Sequence, residues 1–255
     1  MKNPTYQNVW LVRTLRPRAF TLMETVIAIG VVAVLLTGFL AVFTPAAQGI
    51  RRSISSQQAN RLTSTLEREL VTLRKDPKND KNSKDFSTGF EKAFNWLLEG
   101  NKTTTAEDKH VIFVYQYRGN NTETPRDDGT LQPMDDIAGQ PGTAYTIQSV
   151  ARRSDEDYFK QDLKAIDGAI FYVKPTQLVY TGNEMVPGKT GEIVDPKTAA
   201  PAATADAFQD AVIAFSAEFY SVPSKSSKYL TGPKFAARFD SAKKPVFTRN
   251  LAIRR

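Results

Sequence analysis

The chain has no cysteine and only one histidine, His110, in 255 residues. The first absence excludes a disulfide framework, a thiol nucleophile and thiolate metal ligation, and the second excludes a multi-histidine metal centre. A folded domain in this chain is therefore held by its own apolar core. There is no Gly-x-Ser-x-Gly elbow, no phosphate-binding glycine loop of the Walker type and no dinucleotide fingerprint. No enzyme class and no cofactor is expected. Acidic residues are missing from the first 19 positions, which carry Lys2, Arg13, Arg16 and Arg18. The rest of the chain holds 30 basic and 27 acidic side chains, so more than half of the net charge of +7 lies in this basic leader. Outside it the two signs are interspersed, and no nucleic-acid partner is expected despite a pI near 9.5.

Charge is missing again from Thr25 to Phe43, a run of nineteen residues reading TVIAIGVVAVLLTGFLAVF. As a helix it spans about 28 Å, close to the hydrocarbon thickness of a bilayer. A helix apolar on every side would need a larger core than a soluble protein of this size supplies. Positive residues precede the run, and none follows until Arg51. That asymmetry predicts a cytoplasmic leader and a C-terminal part sent across the membrane. Glu24 stands directly before the run. An acid at the edge of a span can reach the interface, whereas one placed deeper is costly unless it meets a positive partner.

Residues 18–24 read Arg-Ala-Phe-Thr-Leu-Met-Glu and lead into the apolar run. This order resembles the processing signal of type IV prepilins and of the pseudopilins of type II secretion systems. The resemblance implies cleavage between Ala19 and Phe20 by a prepilin peptidase/methyltransferase, with N-methylation of Phe20. The family usually has glycine where this chain has Ala19. The resemblance also makes Glu24 the acid at the fifth mature position, paired in the assembled filament with the N-terminal amine of a neighbouring subunit. It implies a bacterial inner-membrane protein, single-pass, with its head in the periplasm or outside the cell. Its partners would be other pilin or pseudopilin subunits and membrane lipid.

Beyond Pro45, Ile50, Ile54, Leu62, Leu66, Leu70 and Leu73 recur at mostly helical spacing. They predict a helix running on from Phe20 to about residue 75, with an apolar face for a sheet, and ending near Asp76-Pro77. Residues 76–255 then form the head. Phe86 to Leu98 make a helical stripe of core type that ends at Gly100. Strands are expected at 110–117, 145–150, 211–222 and 246–253, with a short helix from Tyr158 ended by Gly168. Ala169 to Tyr180 reads as an interrupted strand or hairpin, with Pro175 at an edge, bulge or bend. The Pro/Ala-rich stretch 182–206 is expected as an exposed, mobile loop. The expected class is α+β, and the resemblance adds that the long N-terminal helix packs on an antiparallel sheet.

The acid pairs Asp127/Asp128 and Asp135/Asp136 lie in turn-rich sequence without calcium-loop spacing, and are expected to face water rather than hold a metal. Asn101 and Asn120 match the glycosylation acceptor pattern. Three functions follow from these features. The first is a structural filament subunit, of minor or specialised type given 236 mature residues. The second is a singly anchored binding or adhesion domain that does not polymerise. The third is a secreted protein with an ordinary signal sequence, which the length of the apolar run and the poor cleavage site around Ala46-Ala47 disfavour.

Overall fold

The computed structural model describes residues 21–74, 86–100, 110–134, 144–232, 235–239 and 243–255. The leader, the Ala19–Phe20 cleavage position, the breaker run at 75–80, Asn101 and the Asp135/Asp136 pair lie outside the described residues. The chain divides into two units, residues 1–50 and 51–255.

The first element is α1, Leu22–Val71. The Thr21 hydroxyl accepts the Glu24 N–H at 3.2 Å, satisfying one of the donors that a helix start leaves unpaired. Pro45 lies inside the helix rather than ending it. The buried side chains of α1 begin at Ala59 and include Leu62, Leu66 and Leu70. Ile50 and Ile54 are exposed and do not join this face, so the expected stripe starts later than its spacing suggested. Leu73 lies beyond the helix end. That end comes at Val71, short of the predicted breaker, because Lys92 reaches in from the next helix. Its ammonium donates to the carbonyls of Glu69 and Thr72, both at 2.7 Å.

That next helix is α2, Gly89–Glu99. The Thr88 hydroxyl caps it, accepting the Glu91 N–H at 3.1 Å. Gly89 permits a close approach: an added Cβ would lie 2.6 Å from the Val71 carbonyl oxygen. Phe90, Ala93, Phe94 and Leu97 are buried, as the stripe predicted.

The sheet is formed by β1 (Ile112–Asn120), β2 (Gln132–Pro133), β3 (Thr146–Arg153), β4 (Ile166–Thr181), β5 (Glu184–Pro187), β6 (Val212–Ser221) and β7 (Phe247–Arg254). All pairings are antiparallel, in the order β2-β1-β4-β6-β7, with β3 also on β1 and β5 on β4. The architecture is α+β: a long apolar N-terminal helix and an antiparallel C-terminal sheet. Both faces of the sheet are covered, which is why β1 reads as an apolar run rather than an alternation. On one face Leu62, Leu66 and Leu70 of α1 and Phe94 of α2 pack with Ile112, Val114, Phe171, Phe215 and Leu251. On the other, Phe113, Tyr115 and Tyr172 meet Phe159, Phe235 and Phe239. Phe159 comes from α3 (Asp157–Asp162), and the last two come from the segment between β6 and β7, which holds α4 (Ser227–Leu230) and a 3₁₀ turn.

Three local expectations are corrected. Gly168 does not end α3, whose last helical residue is Asp162. It lies in β4 with φ of 73°, where the register between β1 and β4 shifts, and a bulge there needs a left-handed residue. The strand at 169–180 is not interrupted: β4 runs through Pro175, whose neighbour on one side is Ala217 of β6. On the other side β1 pairs only as far as Val173, and β5 only from Leu178, so the missing proline N–H falls where β4 is locally an edge. Finally, 182–206 is exposed over most of its length, as expected, but it is not loop throughout. It contains β5, and Ile193, Ala202 and Ala205, with Phe208 just after the stretch, close the core over the sheet. Asp195 organises it by accepting the N–H groups of Lys197, Thr198 and Gln209. The Gln209 N–H foremost among them holds its carboxyl below the usual range.

Candidate functional site

Glu24 is the only charged residue from Thr21 to Ile50. It occupies the first turn of α1, is exposed, and sits where the partial positive charge of a helix start favours an acid. Behind it the apolar side chains point outward on every side: Val34 is 72 %, Leu35 67 % and Val42 71 % exposed. The hydroxyls in this run are satisfied by the helix itself. Thr37 donates to the Ala33 carbonyl at 2.8 Å and Thr44 to that of Leu40 at 2.9 Å. Neither therefore brings an unpaired polar group into an apolar medium. Among the described residues, α1 is the one helix long and apolar enough to cross a membrane.

Of the other residues singled out from the sequence, Asp127 is exposed and Asp128 is not. The Asp128 carboxylate accepts the Thr130 N–H and hydroxyl, at 2.9 and 2.6 Å, and pairs with Arg152 at 2.9 Å. Its expected place in solvent was wrong because Arg152 lies buried opposite it. Burial would raise the carboxyl, but Arg152 and the Thr130 hydrogen bonds hold it below the usual range. No group of acids, His or Cys among the described residues is arranged to hold a metal ion. The side chain of Asn120 is half-buried and accepts from Thr122. His110 Nδ1 lies 3.2 Å from Asp155 Oδ2, and Nε2 lies 3.9 Å from Glu99.

Asp128 belongs to a buried ionic cluster that the sequence pattern did not announce. Asp162 pairs with Arg126 at 2.7 Å and Arg152 at 2.9 Å, and accepts the Tyr115 hydroxyl at 2.7 Å. Burial, reinforced by the Asp162 charge, pushes the Tyr115 hydroxyl well above its ordinary value, and raises Tyr117 to about 12. A second cluster joins the end of α1 to the head. Glu69 pairs with Lys92 at 2.9 Å and with Arg74 at 2.8 Å, and Arg74 donates to the Asp128 carbonyl at 2.7 Å. One signal could have exposed it: Glu69 sits beside Leu66 and Leu70 on the buried side of an amphipathic helix, where a lone acid needs a partner. These charges are committed to one another and clamp helix, loop and strand together. A recess of about 350 Å³ beside the β4 bulge is lined by Gln58, Arg61, Leu62, Gln116 and Phe171, and brings no acid or nucleophile to that place.

Comparisons of the chain with protein-family models, curated proteins and solved structures give no match.

Proposed function

We propose that this chain is a structural subunit of a type IV pilus-like or type II secretion pseudopilus-like filament, assembled through α1 after removal of the basic leader. The observation that carries the reading is a single acid, Glu24, at the start of a helix whose apolar side chains from Val26 to Phe43 are exposed all round. The Thr21 cap and the helix dipole account for an acid at a helix start. They do not account for four features in sequence: a basic leader, a small residue, Phe-Thr-Leu-Met-Glu and a membrane-length run. Cleavage between Ala19 and Phe20 would create an amine four residues before Glu24. An acid and an amine are each costly in hydrocarbon and tolerable together. Pairing them between neighbouring subunits would set the axial register of the stack. The head would then face the periplasm or the cell exterior. Prepilin peptidase/methyltransferase and other pilin-type subunits would be the partners, and the chain would perform no catalysis.

Two measurements test this. Intact mass of the protein from its native envelope should match a chain that starts at methylated Phe20; a chain that keeps residues 1–19 sinks the reading. Glu24→Gln should insert and fold normally yet lose crosslinks between adjacent subunits when compared at equal membrane abundance. Equal crosslinking of the variant removes the charge-pair mechanism. A wild type that enters no assembly favours the singly anchored binding domain instead.

A further inference from the structure

From Thr25 to Ile50 the helix carries no charge for 26 residues. At the helical rise this is about 39 Å, which exceeds the hydrocarbon core and approaches the full bilayer with its headgroup layers. The next two residues, still within α1, are Arg51 and Arg52. Both are exposed. No carboxylate is available to them within one or two turns, because the chain holds no acid between Glu24 and Glu67. Ile54, on the next turn, is 50 % exposed and contributes nothing to the core of the head. Cα–Cβ bonds of a helix tilt toward its N-terminus, so the stems of both arginines leave the backbone in the direction of the apolar run.

From this placement we infer that Arg51 and Arg52 form a binding site for the phosphates of anionic phospholipids, in the headgroup layer where α1 leaves the membrane. Guanidinium matches phosphate by paired hydrogen bonds, and its apolar stem can lie along the acyl boundary. Ile54 would rest against the same boundary. The site needs only a spanning helix, so it holds whether or not the chain forms a filament. Its failure would leave the proposed assembly untouched.

The test uses the full chain in bilayers that mix phosphatidylcholine and phosphatidylglycerol, with native mass spectrometry counting the lipids that stay bound on release. The wild type should retain phosphatidylglycerol well above its bulk share. Replacing both arginines by glutamine (R51Q/R52Q) should lower that preference roughly tenfold or more. Lysine at both positions should keep most of it, and added salt should weaken it. Arg61→Gln, further along the same helix, should leave it unchanged. The inference is overturned if the wild type shows no preference, including the case in which it retains no lipid. It is equally overturned if R51Q/R52Q retains as much phosphatidylglycerol as wild type, or if R61Q loses as much as R51Q/R52Q. Acidic protein bound at Arg51 and Arg52 in place of lipid would also overturn it.

Discussion

The leucines of residues 22–43 and those of residues 59–70 belong to one helix, yet their surroundings are opposite. Leu35 is 67 % exposed, whereas Leu66 is 1 % exposed. The early segment is apolar at every angle, has no polar face to turn to water, and is long enough to cross a membrane. The later segment alternates Leu62, Leu66 and Leu70 with Arg61, Glu67 and Arg68, and requires only one apolar wall. The same residue type stabilises the fold in one place and makes a membrane-length apolar surface in the other, and substitutions can separate the two.

The largest effect on the head should come from its ionic cluster. Asp162→Ala leaves Arg126 and Arg152 buried without their shared carboxylate, whose side chain is fully buried. Breaking such a pair costs about 3–5 kcal/mol, and chemical unfolding of a chain beginning at Ala46 would measure it. A loss below about 1 kcal/mol would show that the cluster does not hold the fold.

Leu66→Ala should cost the same chain about 2–5 kcal/mol, because Leu66 packs between α1 and the sheet. Leu35→Ala in the full-length protein should leave the melting of the head unchanged. If the two substitutions shifted the head equally, the contrast between the two segments would fail.

Acid should weaken the head but not the apolar segment. Asp128 and Asp155 both sit below their ordinary value of 3.8. In each, burial is outweighed by partners: Arg152 and Thr130 for Asp128, His110 and Arg153 for Asp155. A depressed carboxyl stabilises fully above its unfolded value. That contribution is lost as pH falls from about 3.8 through the folded value. Burial raises Glu156 instead, so it acts in the opposite direction, and its cost to the fold grows as pH rises through its ordinary 4.5. Thermal melts across this range should fall on the acid side, and Asp155→Asn should flatten the fall. An unchanged acid limb in that variant would remove Asp155 from the account.

The smallest effect belongs to the surface. Lys189 and Glu192 lie 3.0 Å apart with the lysine 83 % exposed. Glu192→Gln should alter stability by less than about 0.5 kcal/mol, measured by the same unfolding curves.

Much of this was legible from residue order. The apolar run, the long helix, the core stripe of α2 and the four best strands all appear where spacing placed them, because each depends on consecutive side chains. Pro175 was expected at an edge, bulge or bend and lies at a local edge, whereas the bulge at Gly168 was not foreseen, since it exists only once β1 has paired with β4. The stretch 182–206 looked like loop because proline, glycine and alanine dominate it. Its few buried apolar residues, Ile193, Ala202 and Ala205, acquire meaning only from the open core they cover.

By itself, then, the sequence determined that one segment is apolar on all sides over a membrane's thickness, and that Glu24 stands alone at its start. Length, charge and helical period are local quantities, and no partner is needed to evaluate them. Only the tertiary structure decided that the buried face of α1 begins at Ala59, and that Asp128 is a buried partner of Arg152 rather than a surface acid. Arg74 meets the Asp128 carbonyl across 54 residues of chain, and Arg126 meets Asp162 across 36. The energy of a charge depends on what lies within a few ångströms of it, and for residues so far apart in sequence the fold alone sets that distance.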